Sequence, residues 1–341
     1  MNIVITGGAG FLGARLARTL LEGGQLSLAG APAQTIQTIT LIDRAAPPAD
    51  LAADPRIRAV VGDLNQLLEE HQATAPVIRS SDAIIFHLAA AVSGECEADF
   101  DLGMRSNVDA TRALLQACRK LQTRPTVMFA SSLAVFGNSP QQPLPAIIDD
   151  RTMPTPQNSY GIQKFIGEQL VADYARKGFI RGRNVRLMTV SVRPGKPNGA
   201  ASSFLSGIIR EPLAGQKAVC PVPPETAVAL SSPSRTIAGL LRAAEASDDE
   251  WGARTAINLP ALKTTVGEMA AALERVAGRA AAALIDWTPD LAIMKIVTSW
   301  PANIDAARAR TLGLLADDSF DAIVAEYRLE NPATAPMAYQ P

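Results

Sequence analysis

Short runs of β-branched and aliphatic residues alternate along this chain with longer stretches in which apolar side chains recur every three or four positions. Strands are predicted at 2–6, 39–42, 57–61, 83–87, 126–130 and 185–192. Helices are predicted at 11–21, 100–121 and 158–177. In the second of these, Met104, Val108, Leu115 and Cys118 fall near one face. Pro154 and Pro156 stand before the third. Residues 23–37, rich in Gly, Ala and Pro, read as a loop insertion. Apolar runs this short, alternating with helices, specify an α/β fold with a doubly wound parallel sheet.

The pattern changes after Arg193. Residues 193–198 hold two prolines and a glycine, and 211–234 are again Pro-rich with few regular elements expected. Helical periodicity returns at 266–277, 292–299, 304–314 and 320–330. Residues 1–193 therefore read as the domain that holds the doubly wound sheet. Residues 194–330 read mostly as a smaller C-terminal substrate-binding lobe, able to return a strand to the sheet. Residues 331–341, rich in Pro and Ala, read as a frayed tail. No internal repeat is seen.

Composition narrows the function. Of 341 residues, 48% are hydrophobic and 19% charged, enough apolar side chain for a full core. Lys plus Arg is 32 against 33 for Asp plus Glu, so there is no basic excess to hold a nucleic acid. The longest apolar run, 83–92, is interrupted by His87 and is about half of the ~20 residues a membrane span needs. The first residues lack the basic and long apolar regions of a signal peptide. Cys96, Cys118 and Cys220 are far apart and form no CxxC, which argues against disulfides and for a reducing cytoplasm. With only His71 and His87, a His-rich metal site or a His pair is nearly excluded, and no metal is expected.

The first predicted strand runs straight into a glycine-rich turn. Gly8, Gly10 and Gly13 match GxGxxG, and Gly7, Gly10 and Gly13 match GxxGxxG. A helix opening at Phe11 and Leu12 follows. Glycines permit the tight turn, and the helix N-terminus offers free N–H groups and a positive dipole end to a pyrophosphate. Strand, turn and helix stand in the order a Rossmann-type dinucleotide site requires; a turn that binds nothing is the alternative. Asp43 closes the second long strand, placed to accept hydrogen bonds from an adenosine ribose and to favour NAD over NADP. Its distance from the glycines exceeds the usual ~20 residues, and 23–37 accounts for the excess. The alternatives are a strand-end cap at Asp43 and service of a 2′-phosphate by Arg44. Asp63 and Leu64 follow the third strand, placed for an adenine contact or as a plain helix N-cap. Leu88, Ala89 and Ala90 follow the fourth, small enough to pass under a cofactor or simply to pack closely.

Tyr160 and Lys164 form a YxxxK at the start of a helix. Residues four apart share a face, so phenol and ammonium point into one space. A cation nearby lowers the phenol's ordinary pKa of ~10. Alone, this spacing equally describes a solvated surface pair. Ser131 and Ser132, at the carboxyl end of the strand from Thr126, lie where a crevice forms in such sheets.

Together these motifs resemble the extended short-chain dehydrogenase/reductase family. Residues 107–111 also fit the family's helix motif beside the active site, which puts Asn107 near the cofactor. The resemblance covers nearly the whole chain and implies a catalytic trio of Ser132, Tyr160 and Lys164. Ser132 is chosen over Ser131 because it stands five residues before Gly137. It further implies that Tyr160 and Lys164 touch the nicotinamide ribose. Family dehydratases carry an acidic pair where this chain has Leu133 and Ala134. The segment 193–198 departs from the pattern of nucleotide-sugar epimerases. Segments 93–101 and 193–213 are similar to a branch that oxidises the 2-hydroxyl of a four-carbon sugar acid with NAD. Ser93, Lys196, Asn198 and Arg235 are then candidates for the substrate's carboxylate and hydroxyls. Each has a bland alternative: a turn cap, a solvated Lys, a turn Asn and a surface ion pair. An NAD-retaining nucleotide-sugar epimerase and a non-catalytic cofactor sensor are the competing readings. The family also implies a homodimer built on 100–121 and 158–177, unless their apolar faces instead cover the sheet.

Overall fold

The structure is a computed structural model and describes residues 1–70, 76–195, 197 and 199–332. Lys196, Asn198, His71 and most of the expected tail lie outside the described residues. Packing divides the chain into two compact units that interleave along the sequence. One comprises Met1–Val135, Ser159–Arg186 and Ile237–Ile257; the other comprises Phe136–Asn158, Leu187–Thr236 and Asn258–Pro341.

The first unit is built on seven strands: β1 (Asn2–Thr6), β2 (Thr38–Asp43), β3 (Ile57–Val61), β4 (Asp82–His87), β5 (Thr126–Ser132), β6 (Arg181–Leu187) and β7 (Ile257–Asn258). Their order is β7-β6-β5-β4-β1-β2-β3. The pairings from β3 through β5 are parallel. This is the mostly parallel, Rossmann-like α/β sheet expected. All seven residues of β5 are buried, as befits a strand covered on both faces. The register sets Thr6 beside Ile42 and His87, and His87 beside Phe129. The carboxyl ends of β1, β2 and β4 therefore lie level, and Ala130–Ser132 run three residues beyond them. Helices α1 (Phe11–Gly23), α2 (Ala110–Leu121) and α3 (Ser159–Arg176) belong to this unit. Leu114, Leu115 and Cys118 of α2 join Val4, Ile85, Val127 and Phe129 in one core cluster.

Several elements differ from the sequence pattern. The helix expected over 100–121 begins as a short turn at Phe100–Gly103, widens to a π-helical stretch at Met104–Asp109 and only then becomes α2. Periodicity cannot distinguish these windings over so few residues. Residues 23–37 hold a small antiparallel pair, Gln25–Leu26 with Gln34–Thr35, rather than loop alone. The strand expected over 185–192 is two strands: β6 joins the large sheet, and Thr189–Val190 joins a three-stranded sheet of the second unit.

In the second unit, α4 (Phe204–Leu213) was hidden because Pro212 falls in its last turn. The Pro-rich stretch after it holds strands Ala218–Cys220 and Ala227–Ser231, and it runs into the helix Pro233–Glu245, which belongs to the first unit from Ile237 on. Val266–Ala277 and Phe320–Glu330 form as expected. The other two helices are shorter, at Leu291–Val297 and Ala307–Thr311. Ile208, Ile209, Met269, Leu273, Phe320 and Val324 make this unit's core.

Candidate active site

β1 delivers the chain into Gly7, which has φ +71°. A Cβ there would lie 2.8 Å from the Ala89 nitrogen, and a Cβ on Gly13 would lie 2.1 Å from the Gly7 oxygen. Only glycine permits these approaches of loop, shelf and helix. Gly10 is close as well: a Cβ there would stand 3.2 Å from the Gly7 oxygen, a tight contact with backbone. No side chain caps α1 at Gly10, so the first-turn amides of Phe11, Leu12 and Gly13 keep the donor character of a helix N-terminus. That donor set fits a pyrophosphate.

Asp43 braces this loop. Its Oδ2 accepts from Ala9 N at 3.0 Å and its Oδ1 from Ala45 N at 3.1 Å. The carboxylate thus caps the strand end while standing at the position expected of a ribose acceptor. Arg44 is committed elsewhere: its Nη2 and Nε donate to Asp63 Oδ2 at 2.5 and 3.1 Å. Asp63 Oδ1 accepts from Asn65 N at 3.0 Å, capping the helix Leu64–Glu70. Burial pushes the Asp63 carboxyl up, but the hydrogen bond and charge of Arg44, together with the amides of Gln66 and Asn65, hold it below its usual range. The Leu64 side chain is buried with Leu68, Val77 and Ile78. Leu88 and Ala89 are pinned to β1 through Thr6, at 3.2 Å to its carbonyl and 3.3 Å to its hydroxyl. Together with Ala90 they are half-buried.

Asn107 lies in the π-helical stretch, and its side chain is engaged within the protein. Its Oδ1 accepts from Ala91 N at 2.8 Å, and its Nδ2 donates to Gln163 Oε1 at 2.8 Å and to Ala91 O at 3.2 Å. It holds the shelf after β4 against α3.

Tyr160 and Lys164 occupy the first turns of α3, whose start is fixed by Ser159 N donating to Glu97 Oε1 at 2.6 Å. Lys164 is not a solvated surface residue. It is 3% exposed, and Nζ donates to Ala130 O at 2.8 Å. Nζ stands 5.7 Å from the Tyr160 ring centroid and 5.0 Å from that of Phe129. Burial pushes the ammonium down to about 8, against an opposing pull from Cys96 and Glu168. Ser132 follows Ala130 by two residues, and its Oγ accepts from Ala134 N at 3.1 Å. A phenol, a buried ammonium and a hydroxyl at strand carboxyl ends can exchange a proton with an alcohol oxygen.

Ser93 is buried at the start of the helix Ser93–Ala98 in the first unit. Arg235 lies on Pro233–Glu245 in the second, with its amide donating to Ser232 Oγ at 3.2 Å. Among the described residues no group of His, Cys, Asp or Glu could hold a metal ion, and no helix is long and apolar enough to cross a membrane. Two buried residues escaped the sequence reading. Glu168 repeats the spacing of Tyr160 and Lys164 by four residues, a signal present in the sequence. His87 carried none beyond its rarity.

A glycine turn at a helix N-terminus and a Tyr–Lys helix beside it, on one doubly wound sheet, define a nicotinamide-dinucleotide enzyme. The family model described as the NAD dependent epimerase/dehydratase family matches residues 3–227, and the chain belongs to that family. It is 50% identical to a D-erythronate dehydrogenase of Cupriavidus necator over 96% of this chain and 98% of that one. It is 42% identical to the D-erythronate dehydrogenase of Haemophilus influenzae over the same shares. Among solved structures, the nucleoside-diphosphate-sugar epimerase from Agrobacterium tumefaciens superposes with a TM-score of 0.87 at 41% identity, covering 98% of this chain and 95% of that one.

Proposed function

We propose that this chain oxidises the 2-hydroxyl of D-erythronate with NAD, giving 2-dehydro-D-erythronate. The observation that carries this reading is the likeness to two D-erythronate dehydrogenases over 96% of the chain, which spans both compact units. When bound, NAD supplies the acceptor for the hydride leaving carbon 2. Tyr160, as phenolate, takes the hydroxyl proton. Lys164 favours that phenolate by its charge and grips the nicotinamide ribose. Ser132 orients the reacting oxygen. Gly7, Gly10, Phe11, Leu12 and Gly13 cradle the pyrophosphate, and Asp43 receives the adenosine ribose. The engagement of Arg44 by Asp63 supports NAD over NADP. Ser93, Lys196, Asn198 and Arg235 are proposed for the sugar acid, whose carboxylate needs cations and N–H donors.

The protein is proposed to act in the cytoplasm as a homodimer. Phe100 is 62% exposed and Ile162, on α3, is 47% exposed, which supports an interface there. A sedimentation run showing only a 35.9 kDa species overturns the dimer.

The Agrobacterium structure's title favours a second reading, an NAD-retaining nucleotide-sugar epimerase. A panel of four- to six-carbon sugar acids with NAD, followed at the NADH absorbance, separates the two. Net NADH from D-erythronate supports the dehydrogenase. Tight copurifying NAD without net turnover supports the epimerase. Tyr160→Phe keeps the ring and removes the ionisable oxygen, so kcat falls ~10²–10⁴-fold while NAD still binds. Turnover within a few-fold of wild type overturns the assigned roles.

A further inference from the structure

Behind the catalytic trio lies a buried charge pair that the roles above do not use. Tyr160, Lys164 and Glu168 follow one another at intervals of four, so they form a single stripe on α3. The helix lies close on β5: a Cβ added to Gly167 would stand 2.4 Å from Phe129 Cζ. At that range two side chains of the stripe reach successive residues of the strand end. Lys164 Nζ donates to Ala130 O at 2.8 Å, and the Ser131 hydroxyl donates to Glu168 Oε1 at 2.5 Å. Ser132 is the next residue. Glu168 is held in turn by β6, where Arg186 Nε donates to Oε1 at 2.8 Å and Nη2 to Oε2 at 2.7 Å. Asn184 Nδ2 donates to the Glu168 carbonyl at 3.0 Å. Glu168 is 2% exposed, and Ser131 and Arg186 are buried with it.

We propose that Glu168, braced by Arg186, is a positioning residue: through Ser131 it locks the strand end that carries Ser132 against the helix that carries Tyr160 and Lys164. This rests on the dehydrogenase reading above. A buried ion pair is a poor source of stability, because desolvation offsets much of its attraction. What it supplies is direction. A carboxylate gripped at both oxygens presents a fixed acceptor, and a charged acceptor makes a short, orienting bond to a hydroxyl. Without that bond the strand end keeps the Lys164 contact at Ala130 O but loses the side-chain tie one residue before Ser132. Small misplacements of a reacting group are costly, up to ~10²-fold for about 1 Å.

Ser131→Ala tests this with little risk to folding, since Glu168 keeps both bonds to Arg186. We expect kcat for D-erythronate to fall roughly tenfold, with the KM for NAD within about twofold of wild type. Ser131→Thr, which restores a hydroxyl, is expected to recover most of the loss. A kcat within twofold of wild type, or a lowered Tm with kcat unchanged, overturns the proposal. Tyr160→Phe is measured alongside. If it cripples turnover and Ser131→Ala does not, the positioning role fails and the dehydrogenase reading stands. If Tyr160→Phe is itself harmless, that reading fails and this proposal with it.

Discussion

The two compact units bury different kinds of residue. The second is held by an apolar cluster that includes Ile208, Leu273, Phe320 and Val324. The first has such a cluster too, but a polar path also runs through its interior. The Thr111 hydroxyl donates to Asn107 O at 2.6 Å, so it accepts from His87 Nε2–H at 2.9 Å. His87 Nδ1 then accepts from the Thr6 hydroxyl at 2.7 Å, and Asn107 continues the path to Gln163. The glycine-loop strand and the tyrosine helix are thus joined by side-chain hydrogen bonds. Ser131, Glu168 and Arg186 make a second such link. Apolar packing tolerates reshaping at modest cost, whereas buried hydrogen bonds fix direction and are expensive when broken. The polar paths run beside the proposed catalytic residues, and the apolar cluster fills volume.

Breaking the Glu168–Arg186 pair is the largest test of this contrast. Arg186→Met leaves a carboxylate buried without its partner, and urea unfolding should show a loss of about 3–5 kcal/mol. A loss below about 1 kcal/mol would show that water reaches the pair.

Next comes the apolar side. Leu273→Ala should cost about 2–5 kcal/mol by the same measurement, while kcat of the folded enzyme and its KM for NAD stay at wild-type values. A tenfold fall in kcat would show that this core also positions the chemistry.

A smaller effect is expected from His87. Burial, aided by Lys164, holds its imidazole at about 3 against an ordinary 6.5. The native state binds that proton more weakly than the unfolded chain. The stability owed to neutral His87 is therefore complete above pH 6.5 and is lost as pH falls toward about 3. The slope is at most about 1.4 kcal/mol per pH unit. Wild type and His87→Gln, unfolded in urea between pH 7 and 5, should differ by up to that slope. Parallel curves would break the assignment of His87 as a buried neutral group.

Much of this site was legible because its signals are local. The turn from Thr6 to Gly13, the acid at Asp43 and the spacing of Tyr160 and Lys164 each depend on a few successive residues, and turn sterics and helical period act at that range. The π-helical stretch around Asn107 was not legible, since one added residue per turn leaves the apolar pattern nearly unchanged. Nor was the break between Leu187 and Thr189, because a β-rich run does not say which sheet it joins. Arg44 read as a possible phosphate ligand until Asp63, 19 residues on, was seen to hold it.

The sequence by itself determined a doubly wound sheet opening on a dinucleotide turn and a Tyr–Lys helix, because periodicity and glycine geometry are properties of neighbouring residues. Only the tertiary structure decided that Lys164 is buried on Ala130, that Asn107 ties the shelf to Gln163, and that Ser131 meets Glu168. Those partners stand 34, 56 and 37 residues apart, so desolvation and hydrogen bonding between them exist only once the sheet and its helices have packed.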